Sequence, residues 1–274
     1  MYEAFYGLRK KPFSILPDPD LIYWGRLHKM AFAMLEFGVV NQAGFVVITG
    51  EIGSGKTTLV RHLLRRISGS ATTGVISNTP QGRDELLRWI MLSFDQPTDG
   101  DFVTVFKRFE DFLAHQHRQQ RSTILIIDEA QNLGLLALEE LRMLWNINVD
   151  GEQVLQLILV GQPQLRDLLR QPELEQFAQR VSVDFHLKPL SEAEVGDYID
   201  FRLRAVGARR RIFEEGASAL VAQASRGVPR VINILCDTAM VYGFSTGSDI
   251  VTRDLVAEVI ADKKSFGIFP IGVT

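Results

Sequence analysis

Cysteine is almost missing. Cys236 is the only one in 274 residues, which excludes an internal disulfide and fits a reducing compartment. Long apolar runs are missing too. Stretches such as 45–49 and 124–127 are strand-sized, far short of the ~20 residues a spanning helix needs. The opening MYEAFYGLRKKPF carries Glu3 and no apolar stretch, so it does not read as a signal peptide. These absences exclude secreted, membrane-integral and disulfide-stapled classes. They predict a cytoplasmic protein with no membrane segment in this chain. Neither sign of charge dominates: 33 acidic against 30 basic residues gives a net −3. The chain as a whole therefore has no pull toward DNA or anionic lipid, which argues against a nucleic-acid partner.

What is present is an ordinary globular composition, 46% hydrophobic and 23% charged, with ample material for a core. Residues 1–25 are rich in aromatics and proline, among them Phe5, Tyr6, Pro12, Phe13, Tyr23 and Trp24. Proline at this density disfavours regular structure, and aromatics argue against a loose leader. We read an ordered arm, with rings that can cover the base side of a nucleotide pocket. Strand-like runs at 45–49, 74–77, 123–127, 154–160 and 181–185 then alternate with helical patterns at 26–41, 57–67, 84–94, 102–119, 135–145 and from 164. Continuous apolar strands separated by helices predict a five-stranded parallel sheet flanked by helices, an α/β fold over 26–187. Beyond Pro189 only helical patterns remain, at 192–206, 214–223, 230–242 and 253–262. Ser191 with Glu194 is a capping box opening the first of them. A small all-helical lid domain over 188–264 and a tail over 265–274 complete the expected organisation.

Gly50-Glu51-Ile52-Gly53-Ser54-Gly55-Lys56-Thr57 fits the phosphate-loop pattern G-x-x-x-x-G-K-[ST], with a strand before it and a helix after it. Glycines let successive N–H groups face inward, and the helix N-terminus adds its dipole. Lys56 reaches the β- and γ-phosphates and the Thr57 hydroxyl takes Mg²⁺. Thr58, next in line, is counted with the loop. The strand at 123–127 ends in Asp128-Glu129. Asp128 is placed to hold Mg²⁺ as a Walker-B residue does, and Glu129 to activate the attacking water. ATP and Mg²⁺ are the expected cofactors. Asp128-Glu129-Ala130-Gln131 also looks like a helicase DEAx box, but no second α/β lobe follows. Runs LSGGQ and N-K-x-D are absent as well.

Further polar groups complete the pattern. Gln162 follows the 154–160 strand and can reach the attacking water or γ-phosphate. Arg180 precedes the last strand and can project at a neighbouring subunit's nucleotide. In Gly227-Val228-Pro229-Arg230, Pro229 suits a first helical turn, and Arg230 would swing toward the γ-phosphate if the helical domain closes. Asn78 is a further candidate for holding Glu129. His115 and His117 point to different faces of a predicted helix, so no zinc site is expected. Cys236 reads as core, and Arg61, Arg65, Arg66 and Arg209, Arg210, Arg211 as solvated or interface faces.

Together these motifs resemble the AAA+ ATPase family. The stretches GFVVITGEIGSGKTTLVRHLL, ILIIDEAQNL, LQLILVGQPQLRDLL and GVPRVINILCDTA, with the opening MYEAFYGLRKKPFSILPDPD, are similar to one branch, the ExeA/GspA secretion ATPases. GIFPI near the C-terminus is similar to exosortase-linked, polysaccharide-export members. The resemblance implies a self-associating ring or filament, with Gln162, Arg180 and Arg230 as sensor 1, arginine finger and sensor 2. It also implies a protein partner in an envelope secretion or polysaccharide-export machine. ExeA-type chains typically continue into a membrane segment and a peptidoglycan-binding domain. With neither before Thr274, the chain reads as truncated or as the short form, and cell-wall binding is not carried over. The leading expectation is an ATP-driven switch or assembly factor. The alternatives are a DNA-bound regulator resembling TnsC and TniB transposition ATPases, and a non-hydrolysing nucleotide-gated scaffold.

Overall fold

The computed structural model describes residues 1–16, 18, 21–77, 85–267. Asn78 and the tail after Gly267 lie outside them. By its internal contacts the chain divides into two compact units. One comprises Met30–Gly50 and Leu59–Leu187. The other comprises Met1–Lys29, Glu51–Thr58 and the chain from Lys188 on.

The first unit is built on five strands: β1 (Phe45–Gly50), β2 (Ala71–Ile76), β3 (Ser122–Ile127), β6 (Leu155–Gly161) and β7 (Val181–Leu187). Their order is β2-β3-β6-β1-β7, and each neighbouring pair is parallel. Every residue of β1 and β6 is buried, which is why these segments read as mainly apolar runs, Thr49 and Gln156 apart. One sheet face, carrying Val47, Leu125, Ile127, Leu157 and Leu159, shares a core with α3 (Glu85–Ser93), α4 (Phe102–Arg118) and α5 (Leu135–Trp145). On the other lies α1 (Arg26–Val40), so close to β1 that a Cβ on Gly38 would sit 2.5 Å from Val46 Cγ2. The helix α2 (Lys56–Ile67) follows the phosphate loop, and α6 (Pro163–Leu169) and α7 (Glu175–Ala178) lead into β7.

A two-stranded hairpin, β4 (Asn148–Val149) with β5 (Glu152–Gln153), escapes the sequence reading. Two-residue strands are too short to show alternation. The signal was Asp150-Gly151, which turns with φ of +54° and +84°, the conformation a two-residue hairpin loop demands. The strand expected at 74–77 is longer and starts at Ala71, because Thr72 and Thr73 pair with β3 as an edge.

The second unit is all-helical: α8 (Glu192–Ala205), α9 (Glu215–Ser225), α10 (Pro229–Ser245) and α11 (Arg253–Phe266). The capping box at Ser191 and Glu194 is formed as expected. The arm is not a separate element. Tyr2, Tyr6, Leu8, Phe13 and Leu21 are buried in the same core as Ile199, Leu235, Cys236 and Val256. Arg202, only 6% exposed, anchors the arm: Nε donates to Pro12 O at 2.6 Å and Nη2 to Ser14 O at 3.3 Å. Tyr6 OH donates to Met240 O at 3.2 Å and meets Gly243, where a Cβ would be 2.4 Å from that hydroxyl. Tyr2, Tyr6 and Phe13 are thus taken up by the helical core and do not cover a base as the arm was expected to, while Phe5 is exposed and Tyr23 and Trp24 are half-buried. Among the described residues, no helix is long and apolar enough to cross a membrane.

Candidate functional site

The phosphate loop connects β1 to α2. Gly53 (φ +79°) and Gly55 (φ +102°) occupy backbone conformations that L side chains avoid. Gly53 is also hemmed in by the start of α10. A Cβ there would sit 2.3 Å from Arg230 Cβ, and Arg230 N donates to Gly53 O at 3.2 Å. Arg230 itself is exposed. Across the loop, Ser54 N donates to Glu51 O at 3.1 Å and Lys56 Nζ donates to the same carbonyl at 2.9 Å. The ammonium is thereby drawn inside the loop, 7% exposed, while Glu51 and Ile52 face outward. Among the described residues, Ser54 Oγ is buried with no hydrogen-bond partner, which is uncommon for a buried hydroxyl. Thr57 and Thr58 lie in the first turn of α2, whose leading N–H groups have no partners within the helix and favour an anion. A buried lysine, an orphaned hydroxyl, two left-handed glycines and a helix N-terminus fit a chain of phosphates. The Thr57 hydroxyl is an oxygen ligand of the kind Mg²⁺ accepts.

His28, at the start of α1, supports this loop and was not foreseen. Its Nε2 lies 3.0 Å from Ser54 O, and its ring is 7% exposed. Burial pushes its pKa below the ordinary value, opposed by the bond to Ser54 and by Glu194 nearby. Donation from Nε2 to the carbonyl assigns the neutral tautomer with Nδ1 as bare acceptor.

The carboxylate cluster belongs to the sheet unit. Strands β3, β6 and β1 are neighbours running the same way, so Asp128, Gln162 and Gly50 all come at carboxyl ends of adjacent strands. That edge is where open parallel sheets bind ligands. Asp128, 8% exposed, continues the ladder by donating its N–H to Ile76 O at 2.8 Å, and its Oδ1 accepts from Glu129 N at 3.0 Å. Glu129 has φ +54°, uncommon for a residue with a side chain and a mark of functional sites. Two carboxamides converge on its Oε2: Gln131 Nε2 at 2.6 Å and Gln162 Nε2 at 3.1 Å. Gln131 Oε1 in turn accepts from Gln162 N at 3.0 Å.

The structure thus brings Glu129 to Gln162, and Arg230 to the phosphate loop. Arg180 has other partners: its guanidinium stacks 4.7 Å from the Trp145 ring centre and donates to Asn146 Oδ1. Gln131 is the residue the motif reading passed over, treating it only as the last letter of a helicase-like box. A hint lay in the second amide of Gly161-Gln162, but the pairing spans 31 residues and leaves no local signal.

Residues 40–169 match the AAA domain family. General secretion pathway protein A of Aeromonas hydrophila is 39% identical over 250 residues, which is 90% of this chain and 46% of that protein. The chain thus spans about half the length of this relative. Among solved structures, Cdc6p from Pyrobaculum aerophilum superposes with a TM-score of 0.70 at 17% identity, covering 96% of this chain and 72% of that one. The ORC2 protein of Aeropyrum pernix, solved in ADPNP–ADP complexes, gives 0.64 at 17% identity over 86% of this chain and 66% of that one. At such identities the likeness is one of fold, the P-loop ATPase fold with helices following the sheet domain.

Proposed function

We propose that this chain, which carries an AAA domain and is a relative of general secretion pathway protein A, is an Mg²⁺-dependent ATPase. The observation that carries the reading is the phosphate loop itself, with Lys56 drawn to a loop carbonyl and Ser54 Oγ left without a partner. In this reading the N–H groups from Gly50 to Thr58 cradle the phosphates, and Lys56 neutralises the β/γ charge. Thr57 and Asp128 hold Mg²⁺, which supplies charge neutralisation on the phosphates. Glu129 orients the attacking water and takes its proton; in acyl and phosphoryl chemistry alike such general bases contribute ~10²–10⁴ in rate. Gln162 senses the γ-phosphate or water. Arg230, already against Gly53, senses the same phosphate from α10. Arg180, held by Trp145 and Asn146, serves the nucleotide of a neighbouring copy in a ring or filament. The biological role we infer is a nucleotide-driven conformational switch or assembly factor for an envelope secretion or polysaccharide-export machine, peripheral at the inner membrane through its partners.

The test is steady-state phosphate release with Mg²⁺ and ATP, alongside titration of a fluorescent ATP analogue. The wild type turns over. Lys56→Ala loses analogue binding by about two orders of magnitude, since it removes a charge-assisted contact that no other loop residue can replace. Unchanged affinity in Lys56→Ala would show that the loop is not the phosphate site.

A further inference from the structure

Resting on the ATPase reading above, we propose that Gln131 is a positioning residue of this site, the strut that keeps the Glu129 carboxylate in register with Gln162. Both ends of its carboxamide are engaged, Nε2 on Glu129 Oε2 and Oε1 on the main-chain N–H of Gln162. The amide has only one workable orientation. Rotated by half a turn, it would aim a carbonyl at a carboxylate and an NH₂ at an N–H, and both contacts would be repulsive. The backbone is fitted to this arrangement. Gln131 sits in a short 3₁₀ turn, Ala130–Asn132, pinned by the fully buried Ala130. The left-handed Glu129 precedes that turn. Opposite, Gly161 leaves room for the amide: a Cβ there would be 2.9 Å from Gln131 Oε1.

The two glutamines differ in what they can give up. Gln162 holds Glu129 through its side chain, so turning that amide toward a phosphate breaks the contact. Gln131 holds the Gln162 end through the main chain, so its grip survives the turn. Glu129 then keeps the Gln131 donor when Gln162 turns away. Gln131 touches no substrate in this scheme. It acts through Glu129, so its loss reduces kcat and leaves KM alone.

The experiment is steady-state ATP hydrolysis by the full chain and by Gln131→Met and Gln131→Glu. Both variants keep the side-chain length and lose the donor to Glu129; Gln131→Glu keeps the acceptor for Gln162 N and covers the case where Gln131→Met does not fold. We expect kcat to fall at least about tenfold in each, with KM for ATP within about twofold of wild type. Turnover within about twofold of wild type in Gln131→Glu, or a KM that rises in step with the loss of kcat, would overturn the strut. A wild-type chain that releases no phosphate overturns the ATPase reading itself, which separates the two failures.

Discussion

At the scale of single residues, the groups that act together differ in how visible they were. Lys56, Thr57, Asp128 and Glu129 could be proposed from the sequence because the chemistry proposed for them is tied to local patterns, a glycine-spaced loop and a strand ending in acids. Gln131 and His28 could not, because each acquires its role from a distant partner, Gln162 for one and Ser54 for the other. His28 carries a prediction at this scale. Its folded-state pKa lies below its ordinary value of 6.5 because burial disfavours the charged ring. The unfolded chain therefore takes up a proton first as the pH falls. The stability that neutral His28 contributes is complete above its unfolded pKa and is lost as pH drops through that value toward the folded one. The wild-type melting temperature should thus fall between about pH 7.5 and about pH 5.5. His28→Gln, neutral throughout, should fall less steeply over the same range. Parallel curves for the two proteins would show that His28 does not titrate on unfolding.

At the scale of elements, the five strands were readable since β1, β3 and β6 are buried on both faces along almost their whole length and so mainly apolar, with Thr49, Ser122, Thr123 and Gln156 as the polar exceptions. The arm's destination was not readable. Its aromatic content was plain, but the partners that bury it lie far along the chain, as with Tyr2 and Asp237 or Arg202 and Pro12. Composition shows that an element must pack and not against what. The arm behaves as part of the helical core, and Arg202 is the residue that secures it. Arg202→Met leaves the carbonyls of Pro12 and Ser14 without their charged donor, although Asn233 Nδ2 still reaches Ser14 O at 3.2 Å. Thermal or urea unfolding should show a loss of about 2–4 kcal/mol, in line with removal of buried bonds to a charged group. Deleting residues 1–24 should lower the cooperativity of unfolding and weaken ATP and inorganic triphosphate together. A deletion that unfolds like wild type and weakens ATP alone would return the arm to the base-covering role.

At the scale of the whole molecule, the reading is of a subunit that works with copies of itself. Arg180 is the residue on which this turns. The Trp145 ring and Asn146 hold its guanidinium in place, and Trp145 is in turn wedged over Gly44 and Phe45 at the start of β1. A finger acting between copies makes specific activity rise with protein concentration. Arg180→Ala should bind ATP yet stay slow at every concentration, given the ~10³–10⁵ in rate that such arginines supply. Mixing Arg180→Ala with Glu129→Gln should recover part of the activity, because one kind of interface then pairs an intact Glu129 with an intact Arg180. A mixture shown by cross-linking to co-assemble, yet inactive, would leave Arg180 a structural residue. The claim beneath all of this is that the chain hydrolyses ATP with Glu129 as its base. The most direct measurement is the nucleotide retained by Glu129→Gln after incubation with Mg²⁺ and ATP and rapid desalting. The account predicts ATP bound and unhydrolysed on the variant, with ADP on the wild type. Wild-type rates of hydrolysis by Glu129→Gln, or a variant that retains no nucleotide while still folded, would contradict it.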